Sequence, residues 1–176
     1  LHSGDTSELF FDDLIVTTAD ILGGEGQGFV NMMKELPRER LILGVGCVGA
    51  AQGAFDLTVA YITERQAFGQ AVSGFQNSRY KLAEMKTDIE LCRAMAEKYT
   101  AQFIAGELTS AEASMLKLAA SEMQGRVADQ CVQLFGGYGY MTEYPISRAY
   151  LDARIQRIYG GTSEIMKELI SRSIVS

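Results

Sequence analysis

Residues 82–103 read LAEMKTDIELCRAMAEKYTAQF, and the order of apolar and polar residues here decides the fold class. Leu82, Met85, Ile89, Cys92, Ala96, Tyr99 and Phe103 recur at spacings of 3, 4, 3, 4, 3 and 4. That alternation keeps one face of an α-helix apolar and suits left-handed bundle packing. Gly106 follows as a helix stop, because glycine enters the left-handed conformation without penalty. Thr109-Ser110-Ala111-Glu112 then has the form of a capping box, in which hydroxyl and carboxylate satisfy backbone N–H groups reciprocally. The helix it opens turns Ala113, Leu116, Ala120, Met123, Val127, Cys131 and Leu134 inward and ends at Gly136-Gly137. Upstream, the period becomes helical at Phe29. Pro37 fits the first turn of a new helix, where its missing N–H costs little, and that helix runs to Glu64 or Arg65. It places Leu41, Val45, Val48, Phe55, Val59 and Ile62 on roughly one side, with Gly44, Gly46, Gly49 and Gly53 among them. Glycine inside a helix costs about 0.5–1 kcal/mol relative to alanine. Four of them imply a close approach to the backbone by a neighbouring helix, a flat ligand, or both. A shorter helix around Ile146–Arg154 follows Pro145, and Thr162 or Ser163 caps a last one through about Ile170.

The chain has 176 residues, about one domain's worth. Its only prolines are Pro37 and Pro145, so residues 38–144 contain none, which excludes a loop-rich all-β domain. The expected fold is all-α: an antiparallel, up-and-down four-helix bundle with short connections. One stretch stands apart. Glu8–Val16 is β-branched and aromatic, a strand candidate with no partner strand in the sequence. Gly23–Gly28 reads as a hinge, since it lacks the Lys-Ser/Thr end of a phosphate-cradling loop.

Charge and composition exclude several functions. Lys+Arg 16 against Asp+Glu 22 gives −6, with no basic run, a poor basis for nucleic-acid binding. Cys47, Cys92 and Cys131 are odd in number, far apart and set inside helical patterns, as buried thiols are, not a disulfide framework or zinc site. His2 is the only histidine, which leaves no His-based triad and no metal site. No apolar run approaches the ~20 residues of a membrane span. Residue 1 is Leu and no signal peptide precedes the helices, so the chain reads as an internal piece of something longer.

The chemistry sits in the joints. Arg65-Gln66-Ala67-Phe68-Gly69, with Gln76 beyond, combines a phosphate-binding fork, an aromatic face and open backbone; it also reads as a plain helix C-cap. Gln133-Leu134-Phe135-Gly136-Gly137-Tyr138-Gly139-Tyr140 exposes backbone amides or simply ends a helix. Tyr159-Gly160-Gly161-Thr162-Ser163-Glu164 presents free N–H groups and hydroxyls at a helix start, or is an ordinary N-cap.

Together and in this order, these joints resemble the C-terminal half of the flavin-dependent acyl-CoA dehydrogenases. Gly4–Asp13, Leu36–Leu41, Tyr144-Pro145-Ile146, Asp152-Ala153-Arg154 and Ile158–Ile165 carry the same resemblance, which covers almost the whole chain. It implies that residues 1–22 end a middle β-domain and that residues 23–176 form the C-terminal bundle domain. It further implies FAD as cofactor. Arg65, Phe68, Gln76, Gln133, Phe135, Gly136 and Gly137 would lie on a neighbouring subunit's FAD, and Thr162, Ser163 and Glu164 on the subunit's own. Many members carry the catalytic glutamate immediately before the Gly-Thr motif, where this chain has Gly160. Members of the long-chain and isovaleryl types place it in a Glu-Arg-Leu sequence, matched by Glu39-Arg40-Leu41. The resemblance thus implies Glu39 as the base, Arg40 as a substrate-side residue, and the N–H of Gly160 or Gly161 as a hydrogen bond to the acyl-CoA thioester. It also implies a role in fatty acid metabolism, an electron-transferring flavoprotein as electron acceptor, and a homotetramer or homodimer. The compartment would be the bacterial cytoplasm or the mitochondrial matrix. The alternatives are a non-catalytic helical assembly module, or a relative with altered chemistry, acyl-CoA oxidase-like or nitroalkane-oxidising.

Overall fold

The computed structural model describes residue 4 and residues 7–175, so His2, Asp5 and Thr6 lie outside the described residues. Five α-helices carry the fold: α1 (Gly28–Glu64), α2 (Gln76–Ala105), α3 (Ser110–Phe135), α4 (Pro145–Ile155) and α5 (Ser163–Arg172). α3 is central and packs against each of the other four, while α1 also packs on α2 and α4. The 3-4 stripe of residues 82–103 is the inward face of α2: Met85, Ile89, Cys92, Ala96 and Tyr99 are buried. Leu82 is half-buried and Phe103, at the last turn, is exposed. Gly106 closes α2 at φ +75°. Thr109 opens α3 with both bonds of the capping box, Glu112 N–H to Thr109 Oγ1 at 3.2 Å and Thr109 N–H to Glu112 Oε2 at 3.0 Å. Cys47, Cys92 and Cys131 are buried and unpaired, and burial pushes the thiols of Cys47 and Cys131 up to about 11, so both stay neutral.

Three expectations change. Pro37 does not begin a helix; it lies inside α1, which is continuous from Gly28. The missing N–H leaves the Met33 carbonyl without its helical donor, and Met33 is exposed, so water can take the bond. Second, Glu8–Val16 forms no strand and is exposed along its length. A strand needs a hydrogen-bonded neighbour, and none is present among the described residues. The short β structure is instead a hairpin, β1 (Gln66–Ala67) antiparallel to β2 (Gln70–Ala71), directly after α1. Third, α1 is long and apolar enough by length and composition to cross a membrane. Between Leu41 and Thr63 only Asp56 is charged, and the glycines and alanines interrupt no hydropathy. In this fold one face of α1 is buried, with Leu41, Cys47, Ala51 and Ile62, while Ile42, Val45 and Leu57 are exposed.

The α1 glycines divide. A Cβ on Gly44 would meet Leu116 Cγ at 2.5 Å, so α3 presses on the α1 backbone there. Gly46, Gly49 and Gly53 meet nothing within 4 Å and are exposed. Helix packing therefore accounts for one of the four. We expect Gly44→Ala to lower stability, because Leu116 is fully buried and overpacking costs about 1–3 kcal/mol. Gly46→Ala, Gly49→Ala and Gly53→Ala should each raise it by about 0.5–1 kcal/mol through the unfolded chain's lost entropy. Urea unfolding of the four variants separates the two outcomes; four equal signs would contradict the packing.

Candidate functional site

The turn from α4 into α5 holds the first cluster. Gly160 and Gly161 both have positive φ, +65° and +101°, which side-chain-bearing residues rarely adopt. Space is also short: a Cβ on Gly160 would overlap Leu43 Cδ1 of α1, and one on Gly161 would meet Met166 Cε at 2.6 Å. Thr162 caps α5, its hydroxyl accepting from Ile165 N–H at 3.3 Å. Ser163 is buried and turned inward: its hydroxyl donates to Glu122 Oε1 at 2.8 Å, and its N–H to the Arg157 carbonyl at 3.1 Å. Glu122 also pairs with Arg157 at 2.5 Å. Glu164 is exposed, and hydrogen bonds from its own N–H and from Thr162 hold its carboxyl below the usual range. The N–H groups of Gly160, Gly161 and Thr162 donate to no protein acceptor among the described residues.

Two helices frame this joint. From α3, the fully buried Lys117 donates through Nζ to the Gly161 carbonyl at 2.5 Å. From α1, Leu43 occupies the space at Gly160, and Glu39 lies one turn before it, i to i+4, on the same side of the helix. Glu39 is exposed. Arg40, the next residue, faces the interior: it is buried, Nη1 lies 3.4 Å from Ser110 Oγ, and Nε has no partner. Burial lowers its pKa, partly offset by the Glu39 carboxylate.

The second cluster lies at the far end of α1. Arg65 caps that helix, and its guanidinium sits 5.3 Å from the Tyr138 ring centre, with no ion pair among the described residues. Arg65, Gln133, Phe135, Gly136, Gly137 and Tyr138 line one open groove of about 530 Å³. Phe135 contributes little chemistry of its own, because its ring stacks on Tyr61 at 4.0 Å and is buried. A Cβ on Gly137 would meet nothing within 4 Å, and Gly136 takes φ +63°. Phe68 and Gly69 form the hairpin tip with φ of +49° and +82°, the pair of positive values a type I′ turn requires. Phe68 is 98% exposed, touching only the edge of Phe75. Gln76 opens α2 and donates to the Tyr80 hydroxyl.

The structure thus sorts the candidate residues into two groups and does not bring them together. From Leu43 to Arg65 is 22 residues of α1, about 33 Å at 1.5 Å per residue. Sequence reasoning missed Lys117, Glu122 and the hairpin. A signal for Lys117 existed. Ala113, Lys117, Ala120 and Gln124 follow a 4-3-4 spacing along the inward edge of α3, and all four are buried.

A family model described as "Acyl-CoA dehydrogenase, C-terminal domain" matches residues 26–175. The chain belongs to the acyl-CoA dehydrogenase family. The long-chain specific acyl-CoA dehydrogenase of rat mitochondria is 51% identical over 176 residues, all of this chain and 41% of that protein. An acyl-CoA dehydrogenase structure from Geobacillus kaustophilus superposes with a TM-score of 0.90 at 43% identity, covering 94% of this chain and 43% of that one. A glutaryl-CoA dehydrogenase from Mycobacterium smegmatis, solved in complex with FADH2, gives a TM-score of 0.76 at 27% identity, covering 79% of this chain and 36% of that one. The chain therefore spans about two-fifths of the length of the curated relative, and in this acyl-CoA dehydrogenase family member the two clusters lie at the C-terminal domain's opposite ends.

Proposed function

We propose that the protein containing this chain dehydrogenates acyl-CoA thioesters at the α,β bond, with Glu39 as the base that removes the α-proton. One observation carries this reading: Leu43 fills the space a side chain at position 160 would take, and Glu39 sits one turn away on the same face. A family position that often holds a glutamate is glycine here, and Glu39 lies one helical turn before the Leu43 that takes up that position's side-chain space. A thioester α-proton is weakly acidic, and a carboxylate gains basicity when water is excluded. Glu39 is exposed on this chain, so the exclusion falls to the substrate and to protein outside it. The unbonded N–H groups of Gly160 and Gly161 can donate to the thioester oxygen, favouring the enolate-like transition state. Arg40, buried beside Glu39, is the substrate-side cation.

The residues also fit FAD, which when bound supplies the acceptor for the β-hydride. Unpaired Arg65 and the open backbone of Gly136 and Gly137 suit a pyrophosphate; exposed Phe68 suits an aromatic ring, with Gln76 and Gln133 as polar contacts. Thr162 and Glu164 border the other cofactor. Ser163 supports the joint through Glu122 instead of offering its hydroxyl. One flavin dinucleotide cannot bridge about 33 Å, so each site combines the Arg65 group of one copy with the Glu39–Gly160 group of another. A homodimer or homotetramer follows, with an electron-transferring flavoprotein as the oxidant, in a bacterial cytoplasm or mitochondrial matrix.

The test supplies the full-length, flavin-loaded protein with saturated acyl-CoA thioesters of graded chain length and an artificial electron acceptor. The expected product is the 2-enoyl-CoA. No product at any chain length overturns the reading. Hydrogen peroxide formed in air without acceptor reassigns the chemistry to an oxidase.

A further inference from the structure

Among the described residues Lys117 is the largest fully buried side chain, and the reaction proposed above gives it no task. It sits in the first third of α3. Its surroundings are mixed: Arg40 and Cys47 from α1, Glu122 from its own helix and Glu164 from α5. Desolvation is the dominant influence on it and lowers its pKa, with Arg40 acting in the same direction and the acidic groups opposing. An ammonium in such a place is costly, and exchanging a buried charge for an apolar side chain of similar volume is often neutral or stabilising. Fold stability is therefore a weak reason for a lysine at this position.

Its single hydrogen bond is specific. Nζ reaches 44 residues ahead to the Gly161 carbonyl. Gly160 and Gly161 are adjacent glycines with positive φ, so the turn they form has few steric limits of its own before Thr162, whose φ is −62°. A trans peptide is planar, with C=O and the following N–H pointing in opposite directions. With the Gly161 carbonyl drawn into the bundle, the Thr162 N–H faces away from α3. A shift of the Gly160-Gly161 turn would take the carbonyl off Lys117 and redirect the N–H groups of both glycines. Five residues further along α3, Glu122 holds the Ser163 hydroxyl and Arg157, so the joint is gripped on both sides of Thr162.

We propose that Lys117 is a positioning residue: its ammonium anchors the Gly161 carbonyl and so fixes the Gly160-Gly161 turn whose N–H groups serve the acyl thioester. The proposal rests on the acyl-CoA reading and adds to it a residue that touches neither substrate nor cofactor. The contact tightens most when negative charge develops on the thioester oxygen, so Lys117 acts on the rate of the chemical step more than on binding.

The test is Lys117→Met in the full-length protein, a change that keeps volume and removes charge and donor. The expected result is a melting temperature equal to or above wild type, a KM within a few-fold, and a kcat lowered about 10²–10³-fold, the usual effect of misplacing one oxyanion donor. Amide hydrogen exchange over residues 157–165 should speed up while the middle of α3 stays protected, a readout that needs no turnover. A kcat within three-fold of wild type overturns the positioning role. Unchanged exchange overturns the grip on the joint. Loss of folding in both Lys117→Met and Lys117→Gln assigns the lysine to stability and overturns the proposal. An inactive wild type overturns the acyl-CoA reading itself, and the exchange measurement then still decides whether Lys117 holds the joint.

Discussion

Glu39→Gln in the full-length protein is expected to lower α,β-dehydrogenation of acyl-CoA about 10²–10⁴-fold, the contribution of a positioned general base, while the flavin stays bound. Exchange of the substrate α-proton with deuterated solvent should fall in parallel, because it needs the base and no hydride acceptor. Structure should be little affected. Glu39 is exposed, and its side chain makes no hydrogen bond or ion pair among the described residues; substitutions at such positions shift stability by about 0.5 kcal/mol or less. Full turnover in Glu39→Gln would remove Glu39 from the mechanism. The contact between Leu43 and Gly160 permits a second step. Gly160→Glu alone places a side chain onto Leu43, so the base can be relocated only with Leu43→Ala beside it. The triple variant Glu39→Gln, Leu43→Ala, Gly160→Glu should recover part of the lost rate. Recovery should be incomplete, because φ of +65° costs a side-chain-bearing residue roughly 1–2 kcal/mol.

The helices were legible because their signals are local. The 3-4 spacing of α2, the Thr109–Glu112 box and the Gly106 stop each concern residues within a few turns, and each reappears in the fold. The exceptions are physical. Pro37 marks a helix start by propensity, yet at an exposed position such as Met33 the lost donor does not stop a proline from lying inside a helix. Glu8–Val16 has strand composition, but composition supplies no hydrogen-bond partner. The Phe68-Gly69 hairpin was hidden because Phe is an unusual residue at positive φ. For the site, the joints were visible as glycine clusters, and their chemistry came only from the family resemblance. What joins Lys117 to Gly161, or Leu43 to Gly160, spans 44 and 117 residues of sequence, and no period or spacing encodes such a meeting.

The separation of the two clusters makes the second large-effect prediction. If each site draws Arg65 from one copy and Glu39 from another, then Arg65→Glu and Glu39→Gln disable different halves of the same site. Arg65→Glu alone should release the flavin, since a carboxylate then faces the phosphates that the guanidinium would hold. Glu39→Gln alone keeps its flavin and loses turnover. Co-expressed in equal amounts, the two defective chains should regain activity. A mixed pair contains one site with both defects and one site with neither. Half of randomly assembled pairs are mixed and one site in two is intact within them, so the mixture should reach about a quarter of wild-type activity. The recovered activity should co-purify with assemblies carrying both of two distinct affinity tags. Had the two clusters served one site within a single chain, every site in the mixture would carry a defect and the activity would stay at the level of the single variants. About 33 Å of uninterrupted helix between Leu43 and Arg65 is the reason to expect recovery, since neither end of α1 can fold back to the other.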